Sequence, residues 1–238
     1  LIARLLGEER EDEAKRVSAF SLYLGMVIAA VFSLGMGLFM EPILKLLGAN
    51  ANTYEFARQY AACVIVVGGI PTVLSNVLSN LIRSIGRSRE AGFGIILGGV
   101  LNIALDPLFM FVLLPDGRQV LGAGIATCLS NCVACVFFLL VLKRMGSTSI
   151  ITFSPRVGLA RRESILAVFA VGVPSAITTF LFDLDYVIID KLMVSYHDLA
   201  LAAIGIVLKV ERFPLNVGIG ICQGMMPVVA YNYAAKNK

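Results

Sequence analysis

Four long stretches without a single charged side chain dominate this sequence. Residues 17–40, 59–82 and 119–142 each run 24 positions without Asp, Glu, Lys or Arg, and residues 213–235 add another 23. A helix rises about 1.5 Å per residue, so roughly 24 residues reach about 36 Å, more than the ~30 Å of a hydrocarbon core. Only 15% of the chain is charged against 58% apolar, where a soluble domain carries about a quarter charged. A soluble enzyme, a disordered tail and a secreted disulfide scaffold are thereby excluded. The expected fold is all-α, a polytopic membrane helix bundle.

The punctuation between the stretches predicts six helices. They cover about 15–46, closed by Glu41, Pro42 and the LLGAN turn; about 53–83, with Gly68, Gly69 and Pro71 near its middle; about 89–114, ending at Pro115–Gly117; about 120–144; about 161–195, with a break at Gly172–Pro174; and about 199–233. Pro and Gly inside such helices are tolerated where neighbours satisfy the freed backbone groups. The polar connection around Pro155 predicts a boundary, giving units at 1–145 and 163–238 joined by 146–162. His197 reads as a solvated residue in the last turn. The start, LIARLLGEER, lacks a charged n-region followed by an apolar run, so it reads as a truncated beginning and not a signal peptide. The two chain ends, LIARLLGEE and VVAYNYAAK, resemble each other weakly, as expected if half of a duplicated transporter were cut out of phase.

Lys and Arg alternate in density between connections. Fourteen fall on one side, among them Arg83, Arg87, Arg89, Lys143 and Arg144, and only Lys45, Arg58 and Arg118 on the other. By the positive-inside rule both ends face the cytoplasm of a multi-pass protein in the plasma (inner) membrane. The net charge of +4 therefore reports topology. No basic patch with interleaved aromatics suggests nucleic acid. Cys63, Cys128, Cys132, Cys135 and Cys222 lie in apolar stretches and read as packing residues, with no histidine nearby to complete a metal site.

Ionisable groups left at membrane depth are costly and mark function. Asn102 and Asp106 in LNIALDP are four apart, hence on one helix face, and present oxygens of the kind that hard cations and protons seek. The same pair reads equally as a polar cap before the PDG turn. A second group comprises Asp183, Asp185, Asp190 and Lys191, then Lys209, Glu211 and Arg212. A hairpin turning near 196–197 places Asp183 level with Lys209 and Glu211, either as a coupling cluster or as a static salt-bridge lock. Asp190 and Lys191 read as snorkelling to the interface. Gly94/Gly98 and Gly220/Gly224 have GxxxG spacing and predict close helix packing. GIGICQG lacks the Lys and Ser or Thr of a phosphate loop.

These landmarks, in the order RLLGEEREDEA, EPILKLLGA, IRSIGRSREA, LNIALDPLFMF, LGAGIATCLSN, VGVPSAI and GICQGMMPVVAYNYAAKN, resemble the multidrug and toxic compound extrusion (MATE) transporters, especially their bacterial drug-efflux branch. The resemblance covers nearly all the chain and departs from the usual YNYGAK ending at Ala234. It implies a twelve-helix, two-lobed transporter, of which this sequence runs from the end of helix 2 to the end of helix 8, with helices 3–6 in the amino-terminal lobe and helices 7–8 in the other. It implies export of cationic or amphiphilic small molecules in exchange for Na⁺ or H⁺, with no other cofactor. Its cation site maps onto Asn102, Asp106 and Thr127, with an Asp expected on the family's first helix. Asp183, Lys209 and Glu211 stand as secondary coupling candidates. A lipid-linked oligosaccharide flippase of the same superfamily would need many basic cavity residues, where only Lys209 and Arg212 qualify. An intramembrane enzyme would need a nucleophile–base pair or a metal triad, which the sequence does not offer. A membrane scaffold would leave the carboxylates expendable.

Overall fold

A computed structural model describes residues 1–49, 53–115, 117–146, 149–153, 162–196 and 198–236. The described residues are helical almost throughout: α1 (Ile2–Gly7), α2 (Glu11–Leu38), α3 (Met40–Leu46), α4 (Tyr54–Ala61), α5 (Gly69–Ser84), α6 (Ser88–Pro107), α7 (Gln119–Met145), α8 (Arg162–Tyr196) and α9 (Asp198–Ala234). Ala62–Val67 and Leu108–Leu113 are π-helical. Five helices are long and apolar enough to cross a membrane, and a bent pair, Tyr54–Val67 with Gly69–Ser84, makes the sixth. His197, Asp116 and most of the 146–162 connection lie outside the described residues.

Charge and turn chemistry set the helix ends. Glu11, Asp12 and Glu13 fill the first turn of α2 and complement the positive end of its dipole, while Lys143 and Arg144 do the converse at the end of α7. The α5–α6 turn is a Schellman motif. Gly86, at φ +85°, donates to the Arg83 carbonyl at 3.0 Å, and Arg87 donates to that of Ile82 at 3.2 Å. At α1 the guanidinium groups of Arg4 and Arg10 hold the Glu8 carboxyl below the usual carboxylate range.

The helix expected over 15–46 starts earlier, at Glu11, and breaks at Phe39. Pro42 has no N–H to give to the Leu38 carbonyl, and its ring crowds that oxygen. Pro71 acts likewise on Val67. The chain responds by widening into the π-helical stretch, with Gly68 N–H reaching back five residues to Cys63 at 2.8 Å, and by bending 51°. Replacing Pro71 with Ala allows the missing bond to form. Spin labels at Phe56 and Asn80 should then separate by about 3 Å, given about 18 Å of helix on either side of the bend. An unchanged distance would assign the bend to the neighbours of α5.

The core lies where α2, α5 and α7 meet, around Val17, Leu22, Leu78, Ile82, Phe138 and Leu142. Gly94 and Gly98 face α7 as their spacing predicts: a methyl group on Gly94 would overlap the ring of Phe138, and one on Gly98 would meet Ala134 at 3.2 Å. Gly220 and Gly224 have nothing within 4 Å of such a methyl, so the same spacing on α9 packs against no described residue. The 149–153 segment is tied to α2, where Ser18 Oγ donates to the Ile150 carbonyl at 3.0 Å and the Tyr23 hydroxyl donates to that of Phe153.

The α8–α9 pair meets this bundle mainly at one end. Phe20 stacks edge-on to Phe169 with 6.4 Å between ring centroids, Ser164 donates to Glu13, and α1 lies against the last turns of α9. There Gly7 lets the Tyr231 carbonyl come so close that any side chain would collide with it. Beyond this end, α8 over 171–189 and α9 over 203–223 are largely exposed.

Candidate cation site between α6 and α7

Asn102, Asp106 and Thr127 are brought together. The Asn102 amide nitrogen donates to Asp106 Oδ1 at 3.2 Å, across one turn of α6, and to Thr127 Oγ1 at 3.3 Å, across to α7. All three are half-buried. The α6–α7 approach that makes this possible is set by small residues: Gly94 and Gly98 on α6, and Gly122 on α7, where a methyl would stand 2.7 Å from the Phe109 carbonyl oxygen.

Among the described residues no Lys or Arg pairs with Asp106, whose one hydrogen-bond donor is the Asn102 amide. A carboxylate on a helix of membrane-spanning length, with only a neutral amide beside it, offers acidic oxygen of the kind a small cation seeks. A half-turn of the Asn102 amide exchanges its donor for Oδ1. Three oxygens of different types, carboxylate, carbonyl and hydroxyl, then converge on one point, the donor chemistry that suits a hard monovalent cation. Pro107 follows at once. It cannot donate to the Ile103 carbonyl, and the chain widens into the π-helical Leu108–Leu113 before ending.

The sequence reading missed a neighbouring link. Asn131 Nδ2 donates to Thr72 Oγ1 at 2.9 Å, joining α7 to α5 just beyond the bend, while Ser130 caps back onto the Thr127 carbonyl at 3.0 Å. The signal was available, because amides and hydroxyls in two facing uncharged stretches invite pairing.

Asp183, Lys209 and Glu211 are placed on α8 and α9 with exposed side chains, and no ion pair joins them to one another. The sequence carries no information on the rotation of each helix about its axis, which decides whether such side chains meet. Arg212 instead sits 4.2 Å from the centroid of the Tyr186 ring, a cation–π contact. Asp185 and Lys191 are exposed too.

Comparisons with known proteins bear on family and fold. The MatE family model matches residues 1–108. Multidrug export protein MepA of Staphylococcus saprophyticus is 31% identical over 98% of the chain and 50% of its own length. The chain is similar to the MATE family of transporters. MepA of Staphylococcus aureus is 27% identical, over 98% of this chain and 51% of the relative. The chain spans about half the length of the curated relatives it matches. Among solved structures, a multidrug resistance MATE transporter in an outward-facing conformation superposes with a TM-score of 0.87 at 24% identity, covering 99% of this chain and 51% of that one. An inward-facing conformation of a multidrug resistance MATE family transporter gives 0.74 at 22% identity, over 98% and 50%. Those likenesses establish the fold: an all-α, multi-pass membrane bundle.

Proposed function

We propose that this protein takes part in secondary active efflux, exporting cationic or amphiphilic small molecules in exchange for an inward-moving Na⁺ or H⁺. Residues 1–145 supply most of one lobe, 163–238 begin the other, and 146–162 connects them on the cytoplasmic side of the plasma membrane. The observation that carries this reading is the half-buried Asp106, with Asn102 and Thr127 in hydrogen-bond reach. The names of the relatives, multidrug export proteins, support the substrate class.

The mechanism follows from differential binding. A cation at Asp106 removes an unpaired buried charge and favours the arrangement of α6 and α7 in which the three oxygens converge. The exported compound favours the other arrangement. The coupling free energy is reciprocal, so each ligand weakens the hold of the other.

The test is transport. With the full-length protein in liposomes preloaded with ethidium, a Na⁺ or proton gradient opposed to dye movement should accelerate dye exit, and dissipating it with the matching ionophore should return exit to the passive rate. Dye exit indifferent to both gradients would overturn the reading.

A further inference from the structure

We propose that Arg83 is a latch between the two bundles, holding α5 against α9 at the closed end and letting go of its α9 partner when that end opens. Its place in a cycle rests on the transport reading above; its existence rests on geometry. Arg83 Nη1 donates to Gln223 Oε1 at 2.8 Å, across 140 positions of sequence, and to Asn80 Oδ1 at 3.1 Å on its own helix. This bond lies at the end where α1 and α9 touch, and where Gly7 admits the α9 backbone.

The chemistry of the partners is telling. Arg4, Arg10, Arg58 and Arg87 each hold a glutamate. Among the described residues Arg83 holds none, only two amide oxygens. A guanidinium bound to neutral acceptors is well oriented but far easier to release than one in an ion pair. Asn80 keeps the fork aimed when Gln223 departs, so the latch is set to close again.

The space beside it is what such a latch would control. A cavity of about 540 Å³ runs between α2, α5 and α8, lined by Val17, Asn76, Val168 and Gly172. A smaller one of about 300 Å³ lies between α5 and α9 and is lined by Arg83 and Gln223 themselves. Asn80 and Ser84 border both. Separating Gln223 from Arg83 therefore opens the floor of the inter-bundle space.

The experiment reads accessibility. In the full-length protein with Cys222→Ala, a cysteine is introduced by Ser84→Cys and its labelling by a polar maleimide is timed in lipid nanodiscs, against the Cys222→Ala parent. Gln223→Ala should raise the rate roughly tenfold, the population shift expected from losing one charge-assisted bond. Gln223→Glu, which turns the bond into an ion pair, should lower it by a similar factor, and should also slow ethidium exit. Gln223 is exposed, so neither change threatens the fold, and an unshifted melting temperature verifies this. Equal rates in all three proteins overturn the latch. Labelling needs neither dye nor gradient: a response to Gln223 in a protein that moves no ethidium would sink the transport reading and leave the latch, whereas gradient-driven exit with unmoved labelling would do the reverse.

Discussion

Asp106→Asn should abolish gradient-driven efflux, by about two orders of magnitude or more, while the protein stays folded. On the proposed mechanism, moving a two-state equilibrium nearly completely requires a ligand to prefer one state by about 5.5 kcal/mol, and Asp106 is the one charged group in the proposed ligand set. Asparagine keeps the shape and the acceptor, so the Asn102 amide can still donate to position 106 as it now does at 3.2 Å. What disappears is the charge. Because that charge is half-buried without a basic partner, losing it should leave the melting temperature unchanged or raise it. Thr127→Val, which removes a neutral oxygen only, should be milder and weaken apparent cation affinity before maximal rate. Efflux of ethidium into an opposing gradient and thermal unfolding in detergent, measured together, check the pair. Undiminished coupling in Asp106→Asn would dismiss the site.

Gly94→Leu should be a severely damaging packing change. The Gly94 position is buried, and even a methyl there overlaps Phe138 and comes within 2.8 Å of Phe137. Phe138 is 1% exposed and cannot swing aside. Overpacking of this kind costs about 1–3 kcal/mol and more when neighbours are fixed, which should appear as a melting point lowered by several degrees and loss of the folded peak in size-exclusion chromatography. Gly99→Leu is the internal control. It lies on the same helix, exposed, with nothing within 4 Å of an added methyl, and should be neutral. Adding Phe138→Ala to Gly94→Leu should recover part of the loss by making room.

Much of the fold was legible in the sequence. Uncharged stretches of membrane length located the helices, but the sequence reading carried continuous helices through Pro42 and Pro71, where the chain breaks and bends. Rotation about the helix axis was less legible. The spacing of Gly94 and Gly98 is identical to that of Gly220 and Gly224, yet one pair meets α7 and the other meets nothing described. Spacing defines a stripe and not what lies opposite it. The same limit separates the two polar groups. Asn102 and Asp106 are one turn apart on one helix, so their neighbourhood follows from helix geometry alone, and the small residues of α6 and α7 bring in Thr127. Asp183, Lys209 and Glu211 depended on the azimuth of two helices, which depth cannot supply. The π-helical stretches left no signature beyond the prolines beside them.

Helix α8 is 35 residues long, about 52 Å end to end, and with α9 it is held to the rest of the molecule mainly near one tip. That makes the pair a lever with its fulcrum beside Phe169 and Gly7. A rotation of about 10° there sweeps the distal tip, about 40 Å from Phe169, through about 7 Å, the width of a small aromatic cation, at the cost of breaking only a handful of bonds near the pivot.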